Sequence, residues 1–182
     1  FGGLVLRPEA VPPNFIIQRL LHHFGPLAQH QGVNLVAPPP PDLPPIMVDE
    51  PSLDRVLANL LVNALAATPP GGEIQVKALP GAEPQNVEIM VTDTGCGLSP
   101  EDQEHLFEKY RLFSHKQDGS GLGLYICKTL VEANQGRIWV ESQVGEGAAF
   151  HLALPAAPAE EAAPEAPPEP LPSDLRNREG VG

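Results

Sequence analysis

Apolar residues along this chain change their period several times, and each change marks an element. In FIIQRLLHHFGPLAQHQG the apolar positions Phe15, Ile16, Leu20, Leu21, Phe24 and Leu27 recur at helical spacing, and Gly32 supplies a stop. The pattern predicts an amphipathic helix. VNLVA and PIMVD are short apolar runs of the kind strands use, separated by a proline-rich stretch from Ala37 to Pro45 that reads as an extended loop. SLDRVLANLLVNALAAT then places Leu53, Val56, Leu57, Leu60, Leu61 and Leu65 on one helical face, with Ser52 as its expected cap. EIQVKAL and NVEIMVTD alternate with period two around a turn containing Gly and Pro, which predicts a hairpin. Ser99 and Pro100 open a short helix whose first turn holds Glu101 and Asp102, where carboxylates suit the positive helix end. GLGLYICKTLVEANQG predicts a third major helix with Gly136 as its C-cap, and RIWVESQ and AAFHLALP form a second hairpin turning at VGEG. Paired strands whose helices must all cover one face give an α+β two-layer sandwich.

Composition adds a boundary to this picture. From Pro155 the chain becomes rich in Pro, Ala and Glu, a mixture that buries too little apolar surface to offset its ordering entropy. Residues 1–154 are therefore expected to form one domain and residues 155–182 a disordered tail or linker. A chain of 182 residues with 42% hydrophobic content suits that division. No stretch approaches the roughly 18 uninterrupted apolar residues of a membrane span, and FGGLVLRPEA lacks the features of a signal peptide. The expectation is a cytoplasmic domain, with the membrane anchoring of any parent protein left open.

The formal charge of −12 argues against a nucleic-acid partner, since phosphate backbones are attracted to basic patches. The tail holds six acids against two bases, −4 of that total, which leaves −8 for the rest. Within the acidic remainder, Lys109, Arg111 and Lys116 form a local positive spot where an anionic ligand could settle. Cys96 and Cys127 are far apart and have no metal-spaced histidines, so both read as small buried hydrophobes.

Three segments carry chemistry. GSGLGL, residues 119–124, lies between a loop and a helix, so its bare N–H groups and the helix dipole suit phosphates. A Rossmann fingerprint is excluded by the absence of a directly preceding strand; no Walker loop and no protein-kinase motif set occurs. Asp93 ends a strand and enters DTGCG, where its carboxylate can either accept the exocyclic amine of an adenine or stabilise its own turn. Asn59 and Asn63 stand four apart on the second helix, on one face and amid leucines and alanines, where each amide needs a partner. Asn63 offers its oxygen to Mg²⁺, an ion that keeps several waters and bridges phosphate oxygens.

Taken in order, NLLVNA (59–64), DTGCG (93–97), LFEKY (106–110) and GSGLGL (119–124) resemble the N-box, first glycine box, F-box and second glycine box of the catalytic and ATP-binding domain of sensor histidine kinases. That family is grouped with gyrase, the chaperone Hsp90 and MutL, and the likeness spans residues 4–154. It implies the Bergerat ATP-binding fold: a mixed, mostly antiparallel five-stranded sheet with three main helices on one face and a mobile lid at roughly 108–120. It assigns Asp93 to the adenine amine, Gly95 and Gly97 to the pocket floor, Asn59 to the phosphate side and Asn63 to Mg²⁺, the two asparagines forming the catalytic set. Gly119, Gly121 and Gly123 form the triphosphate turn, with Ser120, Leu122 and Leu124 beside them and Lys109 and Tyr110 at the nucleotide's edge. Leu106 and Phe107 resemble a hydrophobic latch.

The implied reaction moves the γ-phosphoryl group of ATP to a histidine on a dimerisation and phosphotransfer domain, with a response regulator downstream. By the same likeness the isolated domain is monomeric and the full-length kinase a homodimer. Three departures stand out. Where the family commonly has a Lys-Tyr pair, this chain has Ala66 and Ala67, which admits a non-catalytic nucleotide-binding module as the alternative. The F-box arginine is displaced to Arg111. Asn59 stands where an ATPase of the gyrase type carries its water-orienting Glu. None of His22, His23, His30, His105, His115 and His151 sits in an acceptor motif.

Overall fold

A computed structural model of the chain describes residues 3–110 and 121–158. Its elements are β1 (Pro8–Val11), α1 (Pro13–His30), β2 (Asn34–Val36), β3 (Ile46–Asp49), α2 (Glu50–Ala67), β4 (Glu73–Pro80), β5 (Asn86–Asp93), α3 (Pro100–Glu104), α4 (Gly123–Ala133), β6 (Arg137–Gln143) and β7 (Gly147–Pro155). Five strands form one sheet in the order β2-β4-β5-β7-β6, with β2 parallel to β4 and every other neighbour antiparallel. The α+β sandwich and both expected hairpins are present.

Period two explains the sheet's two faces. Ile74, Val76 and Ala78 of β4, Val87, Ile89 and Val91 of β5, and Phe150, Leu152 and Leu154 of β7 are all buried toward the helices. The stripes that meet them are Ile16, Ile17, Leu20 and Phe24 of α1, Leu57, Leu60 and Leu61 of α2, and Leu130 and Val131 of α4. Each such large aliphatic side chain contributes about 1.5–3 kcal/mol when fully withdrawn from water. Arg19 of α1 pairs with both Glu50 and Asp54 of α2 and ties the two helices together. His151 is the exception on the outer face: it is buried, stacked on Trp139 at 4.9 Å, with Nδ1 2.6 Å from Glu88 Oε1.

Several local features differ from the sequence expectation. PIMVD does form β3, but it pairs with β1 in a separate two-stranded sheet, and β1 itself has too little alternation to be seen beforehand. The cap of α2 is Asp49 rather than Ser52, because the helix starts at Glu50 and the Asp49 carboxylate accepts from both Ser52 N and Ser52 Oγ. Asp49 Oδ1 also accepts from Arg7 N, and these bonds hold its pKa below the ordinary carboxylate range, the Ser52 hydroxyl being the largest cause. At the end of α4 the left-handed residue is Gln135 (φ 60), with Gln135 N bonded to Glu132 O and Gly136 N to Val131 O. Gly136 is needed for another reason: a Cβ there would meet the Ala153 carbonyl oxygen at 2.7 Å. After Leu154 the chain stays packed for three residues, with Ala156 N bonded to Gln85 O and Ala157 N to Pro45 O. Among the described residues no helix is long and apolar enough to cross a membrane.

Candidate functional site

The site is built along α2. Asn59, Asn63 and Ala67 follow at intervals of four and so lie on one line, about 12 Å long at 1.5 Å per residue. At one end, a Cβ on Gly123, the first residue of α4, would lie 3.1 Å from Asn59 Oδ1. Beside it the buried Cys127 thiol donates to Val56 O at 3.8 Å, and its pKa is pushed up to about 12, chiefly by burial, with the Asn59 amide opposing the shift. At the other end, a Cβ on Gly95 would lie 2.4 Å from the Ala67 carbonyl oxygen, so only a glycine lets the DTGCG turn close on the helix. Asn63 stands between these two contacts. Both asparagines are half-buried rather than enclosed, because their face borders the apolar stripe instead of belonging to it.

Asp93 closes β5 and is 5% exposed. Its Oδ1 accepts from Gly95 N at 2.8 Å, and Ala148 is its register partner on β7. Burial raises its pKa above the ordinary carboxylate value, and the backbone N–H groups of Gly95 and Ala148 oppose that shift. The turn-stabilising role that the sequence leaves as an alternative is therefore real. It does not use up the group, since a carboxylate offers about four acceptor positions.

The turn itself is clamped against the β6–β7 connection. Gly97 (φ 71) would place a Cβ 2.0 Å from Gln143 O, Gly147 (φ 85) would place one 1.9 Å from Asp93 O, and Gly145 N bonds Cys96 O at 2.7 Å. Cys96 is exposed, contrary to the expectation of a buried thiol, because the turn leaves it no side to pack against; Cys127 is buried as expected. Two residues outside the motifs hold the arrangement. Ser142 Oγ accepts from Leu98 N at 2.8 Å and donates to Gly147 O at 2.6 Å. Gln103 Nε2 donates to Leu98 O and to Ser142 O. One signal was available for Ser142: alternation along RIWVESQ puts it on the face of Ile138 and Val140, a lone hydroxyl at the end of an apolar row.

Beyond the turn, Leu106 is buried and Phe107 packs on the core. Lys109 places its ammonium 4.7 Å from the Tyr125 ring of α4, and Tyr110 is exposed with φ 60. Gly121 (φ 67) and Leu122 lead into α4, which no side chain among the described residues caps, and Gly123 and Leu124 open the helix half-buried. Gly119, Ser120, Arg111, Lys116 and His115, with most of the expected lid, lie outside the described residues.

Residues 48–158 match the family described as "Histidine kinase-, DNA gyrase B-, and HSP90-like ATPase". The chain belongs to this family. Among its relatives, the adaptive-response sensory kinase SasA of Synechococcus sp. (strain JA-2-3B'a(2-13)) is 39% identical over 142 residues, covering 77% of this chain and 37% of that protein. SasA of Synechococcus elongatus is 36% identical over 155 residues, covering 84% and 40%. Full-length ShkA in complex with AMPPNP superposes with a TM-score of 0.76 at 29% identity, over 88% of this chain and 33% of that one. The catalytic domain of histidine kinase ThkA gives 0.73 at 25% identity, over 86% and 99%. The chain thus has the fold of a histidine-kinase catalytic, ATP-binding domain and spans about two fifths of its curated relatives' length.

In this histidine-kinase domain the N-box helix touches both glycine boxes, through Asn59 to Gly123 and through Ala67 to Gly95. Among the described residues no group of three His, Cys, Asp or Glu side chains converges as a metal site. Mg²⁺, which takes most of its ligands from phosphate and water, suits a site where Asn63 would offer it an amide oxygen.

Proposed function

We propose that the domain binds ATP with Mg²⁺ along the α2 line and transfers the γ-phosphoryl group to a histidine on a dimerisation and phosphotransfer domain. The observation that carries this reading is the 12 Å line of Asn59, Asn63 and Ala67, which has a glycine turn at each end and the buried Asp93 carboxylate at one of them. Asp93 accepts the adenine amine, and the polyphosphate runs toward the N-terminus of α4, where backbone N–H groups and the helix dipole favour anions. Asn63 holds the cation and Asn59 orients the phosphate end. Mg²⁺ supplies charge neutralisation at the phosphate oxygens. The protein's own part is positioning, since phosphoryl transfer asks little covalent chemistry of it. The neutral histidine nitrogen attacks phosphorus in line as the bond to ADP breaks.

In the parent kinase the phosphoryl group passes on to a response regulator, and a need for ATP sets the domain in the cytoplasm. Purified chain, γ-labelled ATP and the cognate dimerisation hairpin supplied separately should give acid-labile label on the hairpin, lost with Asn63→Ala. ATP binding without any labelling would favour the regulatory module instead, a reading kept in view because Ala66 is exposed and brings no charge to the phosphates.

A further inference from the structure

The first turn of α4 is approached from two sides. Gly123 faces Asn59 of α2, and Tyr125, two residues on, stands about 200° further round the helix, on the flank away from α2. There the Lys109 ammonium lies 4.7 Å from the centre of the Tyr125 ring. The segment that carries Lys109 is itself anchored, since Leu106 is buried and Phe107 packs on the core. Helical side chains lean toward the N-terminus of their helix, so the half-buried ring, and the cation on it, sit toward the start of α4 rather than along its length.

Lys128 of α4 shows what a lysine here can do instead. It pairs with Glu132 at 3.8 Å, and its charge is answered there. Among the described residues no carboxylate pairs with Lys109. A ring face holds an ammonium through its quadrupole without cancelling the charge, so Lys109 is fixed in place and still positive. In a chain with 11 Lys and Arg against 23 Asp and Glu, an unanswered cation beside a helix N-terminus is a specific attractor for an anion.

We infer that Tyr125 is a positioning residue for the nucleotide: its ring holds the Lys109 ammonium beside the N-terminus of α4, where that ammonium contacts the terminal phosphates of ATP from the flank opposite Asn59. The inference rests on the reading of this helix end as the phosphate end, and deepens it. Asn59 on one flank, Lys109 on the other and the backbone N–H groups between them enclose the polyphosphate, which gives the site a cation where Ala66 brings none.

The test is calorimetric titration of the 182-residue chain with Mg-ATP, and with AMP by displacement, for wild type, Tyr125→Phe, Tyr125→Leu, Lys109→Met, the Tyr125→Leu/Lys109→Met double variant and Asp93→Asn. Tyr125→Leu should weaken ATP by about 2- to 5-fold, the scale of one exposed cation–π contact, and leave AMP, which lacks the terminal phosphates, unchanged. Tyr125→Phe keeps the ring and should keep the wild-type ATP/AMP ratio. The double variant should bind ATP no more weakly than Lys109→Met alone, because the ring acts only through the ammonium. An unchanged ATP/AMP ratio in Tyr125→Leu, a Tyr125→Phe ratio that falls as far as the leucine's, or fully additive losses in the double variant overturns the inference. Tighter ATP binding in Tyr125→Leu overturns it as well, since the ring would then be withholding the cation. If Asp93→Asn loses ATP while the ratio survives Tyr125→Leu, only this inference fails; wild-type ATP affinity in Asp93→Asn removes the nucleotide reading beneath it.

Discussion

Asp93→Asn separates binding from folding in this domain. The side chain is 5% exposed and its raised pKa is caused first by burial, so in the empty pocket ionisation works against the fold. A neutral amide of the same shape relieves that opposition and can still accept from Gly95 N. The apo melting temperature should therefore hold or rise. Nucleotide binding should move the other way, because the amide turns a donor toward the adenine amine and a charge-assisted bond is lost. Hydrogen bonds to charged groups are worth about 1.5–3 kcal/mol, which corresponds to an affinity roughly 10- to 150-fold weaker. Acidification should copy the mutation: ATP affinity falls as pH drops through the Asp93 pKa, and it does so above the range of an ordinary carboxylate. The stability sign is opposite. A raised carboxylate pKa means relative stability that is present at low pH and lost as pH rises through the folded value. Calorimetric titration with Mg-ATP and thermal melts over a pH series measure both limbs. Equal ATP affinity in the two proteins refutes the site, and a sharp drop in apo melting temperature refutes the electrostatic account of the turn.

Three further outcomes follow from the same geometry. Asp49→Ala should cost about 2 kcal/mol or more in urea unfolding, because the α2 cap goes and the Arg7 and Ser52 donors lose their acceptor. Its lowered pKa means stability present above the unfolded value and lost as pH falls through the folded one, so the variant should also show a flatter acid limb. Gly97→Ala should destabilise clearly more than Gly145→Ala: both glycines have positive φ, about 1–2 kcal/mol of strain for a side chain, but a Cβ at 145 meets nothing within 4 Å while one at 97 meets Gln143 O at 2.0 Å. In thiol labelling under native conditions Cys96 should react and Cys127 should not, its burial and its pKa of about 12 both opposing the thiolate; two fast thiols would contradict the packing of α4 on α2.

Much of this architecture is legible in the order of residues because periodicity is a local consequence of burying one face. The 3.6-residue stripe of α2 and the alternation of β4, β5, β6 and β7 needed no partner to be seen, and the four motifs were set in order by their resemblance to a known family. What tertiary structure decided is of another kind. That Asp49 and not Ser52 caps α2, and that Gln135 rather than Gly136 turns left-handed, depends on where the backbone reaches each helix end. That β3 leaves the main sheet to pair with β1 depends on a partner about 38 residues away in register, a separation across which local pattern carries no information. The site divides along the same line. Asn59, Asn63, Asp93 and the glycines can each be picked out singly as candidates, but the contacts of Gly123 with Asn59 and of Gly95 with Ala67, and the bond from Leu98 N to Ser142, exist only once distant segments are packed within van der Waals reach.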